Sequence, residues 1–340
     1  MTRPKPHVAV IGAGIAGLAC AGRLRQAGVA VSLFDKGRRA GGRCATRRAG
    51  PVTFDHGAQY CTAADGRFRE ALAAGEAAGL VARWQPRPGR LPQSGDAGRE
   101  DEDRRWVGVP GMSSLAQHLG RGLPVQCGTR IAAVEPDGGR WRLGGENGLA
   151  AGPFDIVLVA VPAPQATALL APAPVLADRV RDAVLAPCWA LMLAFAEPLS
   201  TELVAAFVDA GSLAWICHDG GKPGRGGEDS GAPTTWVAHA SPAWSRTHLE
   251  EDPADIAPAM LAAFAEVIGL DLPPPVHLAA HRWRYARVET ALDEPCLYDP
   301  RLGLGACGDW CLGPRIESAF LSGLAMAERV LAQASPRFAD

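Results

Sequence analysis

Apolar positions cluster in two ways along this chain, and each way predicts a different kind of sheet. Near the start, "HVAVI" (His7–Ile11) is a continuous apolar run of strand length, "GAGIAG" reads as a turn, and "LACAGRLRQAG" carries helical spacing that stops at Gly28. "VAVSLFD" is the next apolar run. Strand, helix and strand in that order predict a βαβ unit with two parallel strands buried on both faces. The alternation returns twice. "FDIVLVAVPAPQATALL" is a buried strand stopped by Pro162 and followed by a helical segment, and "LGLGAC" precedes helical spacing from about Glu317 in "IESAFLSGLAMAERVLAQA".

A second group of strand candidates, "CWALMLAFAEPL", "SLAWICHD", "TTWVAHAS" and, after a helix, "HLAAHRWRYARV", predicts an antiparallel sheet beside the parallel one. Most of its tryptophans belong in a core, with one or two left to stack on a planar ligand. "PVQCGTRIAAVEPDGGRWRL" alternates as a hairpin with its turn at "EPDGGR", and "RWVGVPGMSSLAQHLGRGL" predicts a turn at Pro110-Gly111 and a helix capped by Ser113 or Ser114. Residues 65–103 divide into a helix and a stretch rich in proline, glycine and charge, read as an exposed loop with solvated charges. "DGGKPGRGGEDSGAP" reads as a flexible loop and lacks P-loop spacing. The predicted fold class is α/β. A Rossmann-type domain takes the discontinuous segments 1–64, 107–165 and 286–340, and a second α+β domain built on an antiparallel sheet takes 65–106 and 166–285.

Composition narrows the function. With 340 residues, 48% of them apolar, the chain can bury the core of one large domain or two ordinary ones. A formal charge of -2 offers no field for a polyanion, which argues against nucleic acid or a membrane surface as main partner. No apolar run is long enough to span a bilayer, and the expectation is a cytoplasmic protein with no stable membrane association. The 9 cysteines are scattered and odd in number, which argues against a disulfide framework. Cys307 and Cys311 have CxxxC spacing, without the CxxC of a redox motif or the partners of a zinc set, so no metal site is expected. Lys5, Lys36 and Lys222 are the only lysines.

The glycine turn is the first candidate site. Gly12 permits the tight turn, Gly14 lets a pyrophosphate approach the backbone, and Gly17 lets helix and strand pack closely, with the helix N-terminus facing the phosphates. Asp35, about 20 residues on, closes the second strand, where a carboxylate accepts hydrogen bonds from adenosine-ribose hydroxyls. These parts serve NAD and FAD alike. Downstream, Gly41-Gly42 allows a second main-chain approach, and Arg43 offers a fixed guanidinium to a pyrophosphate or neighbouring groups. Arg38, Arg39, Arg47 and Arg48 fit a solvated basic surface better.

The GxGxxG turn, the acidic strand end and "GGRCAT" together resemble the flavin amine oxidase superfamily, and "FDHGAQY" (Phe54–Tyr60) sharpens the resemblance. The resemblance implies a p-hydroxybenzoate hydroxylase- or amine oxidase-like fold with FAD as cofactor. It assigns Gly12, Gly14, Ile15, Ala16, Gly17, Asp35, Lys36, Gly42, Arg43 and Ile131 to cofactor binding, and Gly57, Ala58, Gln59 and Tyr60 to the flavin ring. Gly308 and Asp309 are implied to touch the ribityl chain, and Arg315, Ile316, Glu317 and Ala319 stand at the helix start implied beside the pyrimidine end of the ring. A helix N-terminus, with about half a positive charge, favours the anion that reduced flavin becomes. Function at this end therefore attaches to the Gly-Asp turn rather than to the two cysteines.

Over nearly the whole chain, "LFDKGRRAGGRCATRR", "GAQYCTAAD", "RWVGVPGMSSL", "PAPQATALLA", "AHRWRYAR" and "CGDWCLGPRIESAFLSG" are similar to blocks of the bacterial renalases, in the same order. Renalases are FAD enzymes that oxidise the 2-dihydro and 6-dihydro isomers of reduced nicotinamide dinucleotides to NAD(P)+ and pass the electrons to O2 as hydrogen peroxide. The resemblance implies a dinucleotide substrate and O2 as partners. Hydride loss from a dihydropyridine leaves an aromatic pyridinium and no proton to remove, so the task is positioning rather than base catalysis. Tyr60, Trp106, His239 and Trp283 are the candidate catalytic wall, and Arg282, Arg284 or Arg287 are candidates for substrate phosphate. His56 is open to two readings, a base or a structural hydrogen bonder. The rival function is amine oxidation, for which many members of the superfamily hold a lysine bridged through water to flavin N5. Lys36 follows Asp35, Lys5 precedes the first strand and Lys222 lies in the glycine-rich loop, so all three are expected away from the ring. A non-catalytic flavin-binding protein is the third reading.

Overall fold

The apolar run His7–Ile11 lies inside a six-stranded sheet and is covered on both faces. Across the sheet the order is Leu297–Asp299, Leu304–Ala306, Ile156–Val159, His7–Ile11, Ala30–Phe34 and Val125–Gln126. Neighbours run parallel except at the Leu297–Asp299 edge. The computed structural model describes residues 6–86, 89–91, 105–225 and 231–338.

Two helices, Ile15–Gln26 and Ile316–Phe338, share a core with one face of this sheet through Leu18, Leu24, Phe320 and Met326. They cross closely because a Cβ at Gly323 would stand 2.1 Å from the Ala16 carbonyl oxygen. The other core holds a three-stranded sheet (Ile131–Asp137, Arg140–Gly145, Ala150–Phe154) and helices Ala163–Leu169 and Pro174–Arg181, with Trp141, Leu143 and Val180 buried beside Val157 and Val159. The expected hairpin forms at Gly138-Gly139, both with positive φ, as a tight two-residue connection requires. Val125–Gln126, read as part of that hairpin, instead pairs parallel with Ala30–Phe34.

The second sheet has the order His277–Thr290, Val184–Phe195, Thr234–Ala240, Leu213–His218, Ala205–Val208 and Gly89–Leu91. All pairings are antiparallel except the last, and the two shortest strands had no signal in the sequence reading. Strand periodicity sorts its side chains onto two faces. Trp189, Leu191, Leu193 and Trp236 pack with Phe264 of helix Pro253–Ile268, whereas Met192, Ala194 and Val237 pack with Val52 and Phe54.

Two loop expectations change. Trp84, inside the stretch read as exposed, is 4% exposed, because Val81–Arg83 pairs with Trp106–Gly108 and the Trp84 N–H donates to the Arg105 carbonyl. The rest of that stretch, residues 87–88 and 92–104, lies outside the described residues, as do Lys5 and residues 226–230 of the glycine-rich loop. Helix Ser113–Leu119 has no serine cap. Met112 N donates to Asp55 and Ser113 N to Thr46, so residues distant in sequence accept from its first turn.

Candidate active site

A cavity of about 2510 Å³ runs from the glycine turn to the second sheet. At one end the helix Ile15–Gln26 starts at Gly14 without a side-chain cap, and a Cβ at Gly14 would meet nothing within 4 Å. That is an open helix N-terminus with room against its backbone. Gly12, at φ 108, brings the turn against Ala160, where a Cβ would stand 2.5 Å from a carbonyl oxygen. Asp35 braces the turn by accepting from Ala13 N and Gly37 N, both at 2.6 Å. A carboxylate has about four acceptor sites, so capacity for ribose hydroxyls remains.

Midway, the Gly42-Arg43 and Gly57-Ala58 backbones abut, with Ala58 N donating to Arg43 O at 2.9 Å. Arg43 forms a bidentate pair with Asp309, at 2.7 and 2.8 Å, and donates to Ala286 O. The fork offered to a pyrophosphate on sequence grounds is thus engaged in tying three segments together. Burial opposes this charge, but Asp309 raises the Arg43 pKa above its ordinary value.

The far wall is one row across the second sheet. Phe207 pairs with Trp215, Trp215 with His239, His239 with Ala190 and Ala190 with His281, so these side chains share a face. Strands lie about 4.8 Å apart, so the three steps from Trp215 to His281 span about 14 Å. Trp283 stands two residues beyond His281, on the same face, and packs against His56 and His281 with ring centroids 5.1 and 4.6 Å away. The His56 carbonyl staples loop to sheet, accepting from Trp283 Nε1 at 3.0 Å and His239 Nε2 at 3.2 Å. A carbonyl only accepts, so His239 carries its proton on Nε2. Burial, aided by His281 and Arg47, pulls the His56 ring down to about 3. Burial takes His239 to about 4, and burial with Arg47 takes His281 to about 4. The wall is therefore aromatic and uncharged at neutral pH.

Behind it lies a buried charge cluster. Lys222 Nζ donates to Asp219 at 2.7 Å and to Gln59 Oε1 at 3.1 Å, and lies 3.8 Å from Asp55, which also pairs with Arg225. The Lys222, Asp55 and Asp219 side chains have zero exposure. Burial favours a neutral Lys222, but Asp219 wins and raises its pKa. This corrects the reading of Lys222 as a residue of a flexible loop: it sits one side chain, Gln59, behind the cavity.

Of the residues singled out from sequence, Gly12, Gly14, Ile15, Ala16, Asp35, Lys36, Gly42, Arg43, Gly57, Ala58, Gln59, Tyr60 and Ile131 line the cavity. His239, Trp283, Gly308, Asp309, Arg315, Ile316 and Ala319 line it too. Three do not. Gly17 faces the Gly12 carbonyl, with room for no Cβ, and serves packing. Glu317 turns back to accept from Ala64 N and Asp65 N at 2.7 and 2.6 Å. Trp106 is 6% exposed in the core with Phe68 and Leu72, capped by the Arg83 guanidinium 4.6 Å from its ring. The wall position expected of it is held by Trp215. Arg282, Arg284 and Arg287 all line the cavity; Arg282 bonds Leu249 O, Arg284 bonds Glu250, and Arg284 and Arg287 are exposed. Trp215, His281 and Arg105 were missed; pairing register, which a single sequence does not state, was the only signal for the first two.

Cys307 and Cys311 are fully buried. A hydrogen bond with Cys20 and burial raise the Cys307 pKa, and burial raises that of Cys311, so both stay protonated and no thiol chemistry attaches to them. Among the described residues no group of three or more His, Cys, Asp or Glu could hold a metal ion, and no helix is long and apolar enough to cross a membrane.

The sequence profile of a "Flavin containing amine oxidoreductase" family matches residues 95–331, more than half of the chain, and that of an "NAD(P)-binding Rossmann-like domain" matches residues 10–74. The chain belongs to the flavin-containing amine oxidoreductase family. Two solved structures show the shared fold. A protein from Exiguobacterium sp. 255-15 assigned as a protoporphyrinogen oxidase is similar with a TM-score of 0.74 and 17% identity, over 98% of this chain and 100% of that one. Wild-type putrescine oxidase bound to putrescine is similar with a TM-score of 0.66 and 14% identity, over 97% of this chain and 99% of that one. Membership makes FAD the cofactor and the chain a flavin oxidoreductase. The residues fit FAD: the uncapped helix start and open Gly14 suit its pyrophosphate, and the cavity continues past Gly57 to the aromatic wall where a flavin ring would meet a substrate.

Proposed function

We propose that this chain is a renalase-like oxidase of isomeric dihydronicotinamide dinucleotides, taking the 2-dihydro or 6-dihydro forms of NAD(P) to NAD(P)+. The observation that carries the reading is the uncharged aromatic row, Trp215, His239, His281 and Trp283, facing the loop Gly57–Tyr60. The renalase-like sequence blocks support it independently. FAD, when bound, supplies the two-electron acceptor and returns the electrons to O2. The balance is dihydro-NAD + O2 + H+ giving NAD+ + H2O2.

In this reading the chain's residues position and insulate. Trp283 holds the planar ring by stacking while Trp215 closes the other end of the row, and such fixed geometry is worth about 7–11 kcal/mol of barrier at best. The neutral His239 and His281 place no cation beside a ring that gains positive charge as hydride leaves. No proton is removed, and the Nε2–H of His239 is committed to His56 O. The reading assigns segments 1–64, 107–165 and 286–340 to the cofactor and 65–106 and 166–285 to the substrate, with strand His277–Thr290 passing between them.

Amine oxidation is the second reading, favoured by the family match and by Lys222 lying closer to the cavity than its sequence context suggested. The test is anaerobic. Purified holoenzyme is mixed separately with 2-dihydro-NAD, 6-dihydro-NAD, ordinary 4-dihydro NADH and an aromatic amine, and loss of the visible flavin band is followed. Rapid bleaching by a 2- or 6-isomer alone, with recovery in air, is the expected result. Bleaching by the amine alone would overturn the proposal, and bleaching by none would leave a flavoprotein of other substrate or of no turnover.

A further inference from the structure

Arg105 sits in the cavity wall at 9% exposure, yet its Nε and Nη1 are sealed from solvent without a hydrogen-bond partner. Among the described residues none forms an ion pair with it. The other cavity arginines that are not exposed are engaged: Arg43 with Asp309, and Arg282 with the Leu249 carbonyl. The Arg105 guanidinium lies 5.1 Å from the centroid of the Tyr60 ring. A cation–π contact offsets only part of the desolvation of a buried guanidinium, which leaves its fork short of an acceptor. The position is not an accident of a loose side chain. Arg105 O accepts from Trp84 N at 2.9 Å, and the next residue exchanges two backbone hydrogen bonds with Cys61, both at 2.8 Å, so the main chain at Arg105 is held between Trp84 and the residue that follows Tyr60.

We propose that Arg105 is the anion-recognising residue of the substrate half of the cavity and takes a phosphate oxygen of the dinucleotide. The proposal rests on the dihydronicotinamide reading above. The anionic group of FAD is its pyrophosphate, and the glycine turn with the helix start at Ile15 is built for that at the other end of the cavity. Arg105 stands instead over Tyr60, whose other ring neighbours are Trp84, just after strand Val81–Arg83, and Trp215 of the second sheet. A planar fork buried among aromatics selects a phosphate or carboxylate by two parallel hydrogen bonds. Arg105 thereby sets which substrates are held, while the aromatic row sets where the ring lies.

The test uses Arg105→Met and Arg105→Lys holoenzymes and two substrates: the 2- or 6-dihydro dinucleotide, and the matching dihydronicotinamide riboside, which lacks phosphate. For Arg105→Met we expect KM for the dinucleotide to rise roughly tenfold to a hundredfold with kcat little changed, while the riboside is unaffected. Arg105→Lys recovers part of the loss. An equal effect on both substrates, or release of FAD from Arg105→Met, overturns the proposal. A second arm does not depend on turnover: inorganic pyrophosphate is titrated into wild type and Arg105→Met, and the flavin spectrum is followed. Binding that Arg105→Met abolishes sustains the anion site even when neither isomer is oxidised, in which case the dinucleotide reading alone falls. Pyrophosphate binding of equal strength in both proteins, or none in wild type, overturns the anion site while leaving the oxidase reading intact.

Discussion

Replacing Lys222 by Met turns a balanced buried cluster into an unbalanced one. Asp55, Asp219, Lys222 and Arg225 have side-chain exposures of 0, 0, 0 and 3%, so their two negative and two positive charges neutralise one another out of solvent. Against the upward pull of burial, Lys222 and Arg225 hold the Asp219 carboxyl below its ordinary value, whereas burial and Asp219 push Asp55 above its own. Lys222→Met deletes the 2.7 Å bond to Asp219 and the 3.1 Å bond to Gln59. Two charge-assisted bonds at about 1.5–3 kcal/mol each give about 3–6 kcal/mol, in line with about 3–5 kcal/mol for stripping one partner from a buried pair. The assay is urea unfolding of the holoenzyme, followed by far-UV circular dichroism and by the fluorescence of released flavin. The double variant Lys222→Met/Asp219→Asn restores charge balance and is expected to be more stable than Lys222→Met alone. A loss below about 1 kcal/mol, or a double variant worse than the single, would refute the view that balance within the cluster holds this region together. The same variant separates the two functional readings. Flavin bleaching by a dihydro isomer is expected to survive, slowed through the untethered Gln59, whereas a lysine acting in amine oxidation would take all reduction by amine with it.

Other consequences are as direct. The folded pKa values of His56, His239 and His281, about 3, 4 and 4, lie below the ordinary 6.5, so the unfolded chain binds protons first as pH falls. Stability is therefore expected to be full above pH 6.5 and to fall towards pH 4 by up to about 1.4 kcal/mol per pH unit for each histidine, read as urea midpoints against pH; a flat profile would show the rings to be solvated. Gly323→Ala puts a methyl 2.1 Å from the Ala16 carbonyl oxygen, and separation of the two helices is expected to cost about 1–3 kcal/mol and weaken FAD retention; wild-type stability would show that the crossing relaxes freely. Trp283→Leu removes the stacking wall and the N–H bond to His56 O, and is expected to lower kcat/KM for a dihydro isomer roughly tenfold to a hundredfold while FAD stays bound; unchanged kinetics would remove Trp283 from the site.

The sequence by itself determined the parts of the site that depend on backbone shape. Gly12 and Gly14, the Gly41-Gly42 pair, Asp35 closing its strand and Gly308-Asp309 before a helix all line one cavity, while Gly17, the third glycine of the first turn, packs helix against strand, because each writes a local requirement for turn or close approach into a few adjacent letters. The alternation of strand and helix likewise sufficed for the parallel sheet. What only the tertiary structure decided is which side chains meet. Trp106 was expected at the wall and Trp215 was not, yet register turned the first into the core and the second toward the cavity, and a strand shows its face only once its partner is known. Lys222 and Arg105 sit in stretches whose composition reads as solvated. Asp219 and Gln59 bury the first, and strand pairing around Tyr60 buries the second. Burial of a charge follows from contacts between distant segments, and no local pattern of hydrophobic and polar residues encodes it.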